Sequence, residues 1–209
     1  MPLLLLIRHG ENDYSKKGRF AGRLPGIHLN EHGKHQAEEL GKALAETTLK
    51  AIYSSPLERA LETAESIAQA AGLKIIQEPG LLESDIGRWQ GQSIRRLAVT
   101  KYWRIVQQAP SRAGHLEGES FLQTQTRITS TLDKICRNHK PRDMIACVFH
   151  ADPIKLAVAH YLGLPLDHFQ RLACDTASVT MLAISESGAH LIWLNRRPPF
   201  DLKDPKKKK

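Results

Sequence analysis

The sequence predicts an α/β fold, a three-layer sandwich in which a central, mostly parallel sheet is flanked by helices. Three observations carry that expectation. Two apolar runs, Leu3-Leu4-Leu5-Leu6-Ile7 and Met144-Ile145-Ala146-Cys147-Val148-Phe149, lack polar alternation, as strands covered on both faces do. From Leu3 to Gln77 strand-like and helix-like stretches alternate in the order βαβαβ, the pattern of parallel strands joined by right-handed crossovers. With 209 residues and 41% hydrophobic content, the chain is long enough to fill one core of ordinary size.

The first run is too short for a membrane span and reads as a buried strand ending at Arg8-His9-Gly10-Glu11. Ligands of such sheets sit just beyond the carboxyl ends of the strands. Arg8 and His9 are thus either an anion clamp beside a nucleophile or hydrogen-bonded structural residues. Gly10 allows a sharp turn or a close approach to a ligand. Residues 12–30 hold Gly18, Gly22, Pro25 and Gly26 and are expected to form a loop without helix. Asn30 is placed to cap a helix whose inward positions are Ala37, Leu40, Leu44 and Thr47. A short strand, Ala51 to Ser54, precedes Ser55-Pro56-Leu57-Glu58, read as N-cap, first helical residue and capping-box glutamate. Arg59 then falls in the first turn, beside free N–H groups that favour anions. This helix runs through Ala60, Ala64, Ile67 and Ala71 to Gly72, and Leu73 to Gln77 supplies a third strand.

Leu81 to Gly91 is a Gly-punctuated loop, Ser93 to Val106 is predicted helical, and a second loop passes Pro110 and Gly114 to Glu119-Ser120. A longer helix starting at Phe121 places Phe121, Ile128, Leu132 and Ile135 on one face. The second apolar strand ends on His150, so two buried strands deliver a histidine to the same sheet edge. Asp152 is read as the cap of the next helix, Pro153 as its opening and Gly163 as its end. Val179 to Ile184 and His190 to Leu194 form a closing hairpin around Ser185-Glu186-Ser187-Gly188.

The formal charge of +8 is partly a property of the terminus, because residues 201–209 carry five Lys against two Asp. Residues 198–209 are therefore expected to be a basic, disordered tail, leaving 1–197 as a single domain. The remaining positive excess suits an anionic small substrate and is not taken to indicate nucleic acid. No stretch approaches the ~20 apolar residues of a spanning helix, and the N-terminal run lacks the flanks of a signal peptide. Cys136, Cys147 and Cys174 form neither a disulfide framework nor a zinc knuckle. A cytoplasmic protein with no membrane partner is expected, and a homodimer is left open.

Strand ends and helix starts bring two imidazoles (His9, His150), two guanidiniums (Arg8, Arg59) and a loop carboxylate (Glu83) toward one edge. A metal on His9, His150 and Asp152 is the competing reading, but the carboxylates that hard divalent ions prefer are sparse. Arg8-His9-Gly10-Glu11, Phe20-Ala21-Gly22, the run from Ser54 to Ala64, Glu83 before Gly87-Arg88-Trp89-Gln90-Gly91, and His150 together resemble the histidine phosphatase superfamily, the phosphoglycerate-mutase-like proteins. The resemblance spans Leu3 to about Leu194 and makes 1–197 a catalytic domain. It implies that His9 forms the phosphohistidine, that Arg8, Arg59 and His150 bind phosphoryl oxygens, and that Glu83 is the proton donor. It also implies substrate contacts at Ser15, Ala21, Gly22 and Ala151, no metal and no cofactor. Asn12, Ser15, Arg23 and Ala151 depart from the family pattern.

The chemistry suits those roles. Cations beside His9 keep its ring nitrogen unprotonated and stabilise the oxygens of the phosphoryl group it attacks. Apolar Leu81, Leu82 and Trp89 are expected to raise the pKa of Glu83 while the cations lower it. The expected activity is metal-independent hydrolysis of a small metabolite's phosphate monoester through a phosphohistidine; the alternative is a phosphoglycerate-type phosphomutase. Arg95, Arg96, Lys101 and Arg104 are read as a solvated helix face, which favours the phosphatase. His28, His32, His35, His115, His139, His160, His168 and His190 are read as surface or hydrogen-bonded core residues.

Overall fold

The computed structural model describes residues 2–185 and 188–200; Met1, Glu186, Ser187 and 201–209, with the Lys run, lie outside the described residues. A six-stranded sheet is built from β1 (Leu3–Arg8), β2 (Leu49–Ser54), β3 (Ile75–Gln77), β4 (Met144–Phe149), β5 (Val179–Ser185) and β6 (Gly188–Arg196), in the spatial order β3-β2-β4-β1-β5-β6. The pairs β2·β3, β2·β4 and β1·β4 are parallel, while β5 runs antiparallel to both β1 and β6.

Helix α2 (Glu31–Leu44) starts where the Asn30 side chain accepts the Gly33 N–H at 2.8 Å, and α3 (Glu58–Ala71) ends at Gly72 with φ of 66°. Both cover one face of the sheet. Leu5, Ile7, Ile52, Ala146 and Val148 pack there against Leu40, Leu44, Ala64 and Ile67. The alternate residues Leu4, Leu6, Ile145, Cys147 and Phe149 face Ile128, Leu132, Ile154, Ala157 and Val158 of α6 (Phe121–Arg137) and α7 (Ala151–Tyr161). Two-sided burial is why these strands read as unbroken apolar runs. A third cluster, with Ile86, Trp89, Val106, Phe121 and Phe169, lies under the 81–116 region.

Several local expectations are corrected. Asp13–Lys16 forms a one-turn helix, α1, because Asn12 and Ser15 make a reciprocal capping box within the Gly-rich loop. Helix α3 begins at Glu58 with Leu57 at the cap position and no side-chain cap bond; Ser55 and Pro56 lie outside it. The predicted helix from Ser93 to Val106 is split into α4 (Ile94–Leu97) and α5 (Lys101–Gln108), since the Thr100 hydroxyl accepts the Trp103 N–H at 3.2 Å and starts a new helix. Asp152 is not a cap: His150 holds that position on α7, and Asp152 instead pairs with Lys155 at 2.8 Å. Phe200, assigned to the tail, packs against the Trp193 ring with centroids 5.4 Å apart.

Candidate active site

In the parallel pair β1·β4, Arg8 stands opposite Phe149, so the next residues, His9 and His150, leave adjacent strands at the same edge. The His9 N–H donates to the Phe149 carbonyl at 3.0 Å, and the two rings lie 5.2 Å apart, edge to face. Gly10 makes the close approach its residue type allows, though to protein and not to a ligand. A Cβ there would lie 2.6 Å from the Gly33 carbonyl oxygen, and its N–H donates to Thr63 Oγ1 at 3.0 Å.

Arg59, on the first turn of α3 and 1% exposed, organises both imidazoles. Its Nε donates to His9 Nε2 at 3.2 Å, and its Nη2 donates to His150 Nδ1 at 3.2 Å and to the Gly22 carbonyl at 2.8 Å. A guanidinium only donates, which makes both contacted ring nitrogens acceptors. The protons therefore sit on His9 Nδ1, which donates to the Gly10 carbonyl at 2.7 Å, and on His150 Nε2, which donates to Ser55 Oγ at 2.9 Å. Burial, then the charges of Arg59 and Arg8, hold His9 well below the usual imidazole value, against the pull of the Gly10 carbonyl. Burial and Arg59 hold His150 low in the same way. A metal shared by these rings would need the lone pairs that Arg59 occupies, so the competing metal reading does not fit.

His9, Arg8 and Arg59 line a cavity of about 180 Å³ together with Asn12, Ser15, Ala21, Gly22, Glu83, Ala151 and Asp152. Three of these lining residues keep a buried donor without a partner among the described residues: Arg8 Nε, Arg59 Nη1 and Asn12 Nδ2. Arg8 is held from behind, donating through Nη1 to the Cys174 carbonyl at 2.7 Å. Ala151 opens α7, and its N–H and that of Asp152 find no partner within the helix. Unpaired buried donors of this kind match an anion's oxygens.

Glu83 reaches the same cavity from the loop after β3, its Oε1 accepting the Ser84 N–H at 2.9 Å. Burial pushes its carboxyl up to about 7 and Asp152 adds to the rise, against Arg59, the Ser84 N–H and Arg8. Burial also works against the Asp152 carboxylate, but Lys155, with His115 and Arg8 behind it, outweighs burial, so the net shift is downward. Two carboxyl groups of one cavity are thus driven apart, the pattern that marks one as acid.

Arg8, His9, Arg59, Glu83, Ser15, Ala21, Gly22 and Ala151 all line this one cavity. His150 differs. It is 0% exposed, lies behind Arg59, and has both ring nitrogens engaged. The Ser15 hydroxyl is spent on Asn12, accepting its N–H at 3.0 Å and donating to its carbonyl at 2.9 Å. His115 is not a hydrogen-bonded core residue: it lies between the Trp89 and Phe121 rings, and neither ring nitrogen has a partner among the described residues. Asn12 was missed as a donor. Its Oδ1 accepts the Ser15 N–H at 2.8 Å, which orients the amide and leaves Nδ2 free; nothing in the sequence marks that geometry. Nothing in the sequence singles out Arg127 or Glu119, because the free ends of long charged side chains give no sign of a shared partner.

The model of the histidine phosphatase superfamily (branch 1) matches residues 4–197. Phosphoserine phosphatase 1 of Hydrogenobacter thermophilus is 32% identical over 198 residues, covering 93% of this chain and 92% of its own. A 2,3-bisphosphoglycerate-dependent phosphoglycerate mutase of Thermoplasma acidophilum is 27% identical over 186 residues, covering 88% of each. Among solved structures, phosphoserine phosphatase of Entamoeba histolytica in complex with 3-phosphoglyceric acid superposes with a TM-score of 0.86 at 25% identity, covering 95% of this chain and 98% of its own. With that model matched over residues 4–197, the chain belongs to the histidine phosphatase superfamily, branch 1.

Proposed function

We propose that this protein hydrolyses the phosphate monoester of a small metabolite through a phosphohistidine on Nε2 of His9, without a metal or other cofactor. The observation that carries the reading is an unprotonated Nε2 on a residue that lines a cavity together with two guanidiniums, each keeping a buried donor without a partner among the described residues, and a carboxyl raised to about 7.

The phosphoryl oxygens accept from Arg8 Nε, Arg59 Nη1, Asn12 Nδ2 and the first turn of α7. His9 Nε2 exchanges its weak contact with Arg59 for a bond to phosphorus, and the ester P–O bond breaks with its electron pair on the leaving oxygen. Protonated Glu83 gives that oxygen its proton. The resulting carboxylate takes a proton from water as the water oxygen bonds to phosphorus. The N–P bond breaks, its pair returns to His9, and Glu83 is again the acid. The Nδ1–H bond to the Gly10 carbonyl holds the ring in the reactive tautomer. His150 acts on Arg59, fixing its guanidinium as an acceptor, in place of the direct phosphoryl contact that the resemblance implies.

The relatives' names support both phosphatase and mutase chemistry, and exposure favours the phosphatase. Arg95, Arg96, Lys101 and Arg104 are all exposed side chains on α4 and α5, a poor second clamp for a bisphosphate. Three free cysteines, far apart in sequence, support a reducing, cytoplasmic setting.

The test is a panel of small phosphate esters assayed with and without chelator, together with 3-phosphoglycerate primed by a trace of its bisphosphate. Phosphate release that survives chelation, with acid-labile phosphate trapped in the wild type and absent from His9→Ala, is the expected result. Isomerisation without release would replace this reading with the mutase.

A further inference from the structure

Glu83 lies on an irregular loop, yet an acid must be held within a fraction of an ångström of the leaving oxygen. Only the short turn Pro79–Leu81 precedes it, so its rigidity comes from outside the loop. Arg127 of α6 supplies it. Nη1 donates to the carbonyls of Gly80 and Leu82, both at 2.9 Å, and Nη2 donates to that of Glu83 at 3.4 Å. Nε and Nη2 fork onto Glu119 at 2.9 and 2.8 Å. All five N–H donors of the guanidinium are thereby used.

Glu119 grips the loop on its far side. Its Oε2 accepts the Asp85 N–H at 3.0 Å, and its own N–H donates to the Asp85 carbonyl at 2.8 Å. Arg23 closes the arrangement, donating through Nε to the Glu83 carbonyl at 2.8 Å and pairing through Nη2 with Glu119 at 3.0 Å. Its neighbour Gly22 accepts from Arg59 at 2.8 Å, so the same short segment touches the acid loop and the guanidinium that contacts His9.

We infer that Arg127, Glu119 and Arg23 are positioning residues that hold the Glu83 carboxyl at a fixed distance from the phosphoryl clamp. The inference rests on the reading of Glu83 as the acid. The three groups bond the loop backbone on both sides of Glu83 and make no hydrogen bond to its carboxyl, and Arg23 ties that backbone to the segment that meets Arg59. Moving the loop would misplace the proton donor and leave His9 Nε2 where it is.

The experiment is single-turnover phosphorylation of His9 in Arg127→Gln, with an alkyl phosphate and with 4-nitrophenyl phosphate, whose phenol leaves without much help. The alkyl ester should slow on the order of 10²-fold and the nitrophenyl ester by less than about threefold. In a Glu83→Gln background, Arg127→Gln should cost the alkyl ester less than about threefold more, since the acid is already gone. Equal slowing of both esters, repeated in full in the Glu83→Gln background, would overturn the positioning role. Glu83→Gln alone reads the underlying assignment: a leaving-group-selective loss there keeps the acid even where the positioning role fails. Should Arg127→Gln not fold, Arg23→Lys decides by the same two esters, because lysine keeps the charge and loses the fork.

Discussion

Arg59 donates from Nε to Nε2 of His9 at 3.2 Å, so a buried guanidinium rests on the lone pair of the proposed nucleophile. It cannot protonate that nitrogen, and it makes protonation from solvent unfavourable. His9 is therefore expected to stay neutral well below pH ~6.5, where a free imidazole titrates. Burial contributes most to this and Arg59 next. In Arg59→Gln the midpoint of the His9 ring, followed by NMR, should move up toward the usual value and should not reach it, because burial remains. An unmoved midpoint would show that the guanidinium has no hold on His9. Arg59→Lys should keep the midpoint low and still lose on the order of 10²–10³ in kcat/KM, since a point charge cannot serve His9, His150, the Gly22 carbonyl and an oxyanion together.

Glu119 makes part of the stability depend on acid. Burial works against its carboxylate, but the fork from Arg127 and the Asp85 N–H bring the carboxyl down to about 2. The unfolded chain, with its glutamate near 4.3, takes up the proton first as pH falls. The contribution is thus complete above about pH 5 and disappears as pH drops toward 2. Urea unfolding of Glu119→Gln against wild type should show the largest difference at pH 7 and a narrowing one between about pH 5 and pH 2. A difference that does not change with pH would mean that the Glu119 charge is not what the fold uses.

Much of this was legible in the chain. Two apolar strands without alternation specify two-sided burial, and each ends on a histidine, so His9 and His150 at one edge followed from the pattern alone. Arg59 in a first turn followed from the helix start even though its cap was misassigned. What stayed hidden were choices between partners of equal local merit. Ser55 has the residue type of an N-cap, but its Oγ lies 3.4 Å from the Leu57 N–H and accepts the His150 Nε2 proton at 2.9 Å, a contact separated by 95 residues. Arg127 looks in sequence like any cation on a helix. Its five acceptors become visible only when the loops at 80–83 and 119 fold over it.

The Ser55 assignment is open to a direct measurement. Ser55→Ala leaves the Nε2–H of His150 buried without an acceptor and should cost about 1–3 kcal/mol in denaturant unfolding. A lost helix cap would cost about 1 kcal/mol whatever stands at position 150. The double-mutant cycle with His150→Ala separates the two: with the imidazole gone, Ser55→Ala should be nearly neutral. An undiminished loss in that background would return Ser55 to the role of a cap.

Glu83 carries the sharpest consequence for turnover, because its carboxyl is raised to about 7 by burial and by Asp152. As the acid of the first step it must be protonated, so phosphorylation of His9 by an alkyl ester should fall as pH rises through about 7. The same step with 4-nitrophenyl phosphate needs little protonation of its leaving group and should show no such alkaline limb. Glu83→Gln keeps the side chain's shape and removes its proton, and should slow the alkyl ester on the order of 10²–10⁴ while abolishing the limb. The nitrophenyl burst should slow much less in the variant, although steady-state turnover would still fall, since dephosphorylation loses its base. A carboxyl that merely oriented the substrate would slow both esters by similar factors and leave the two pH profiles alike; single-turnover rates of the two esters across about pH 5 to 9 distinguish these outcomes.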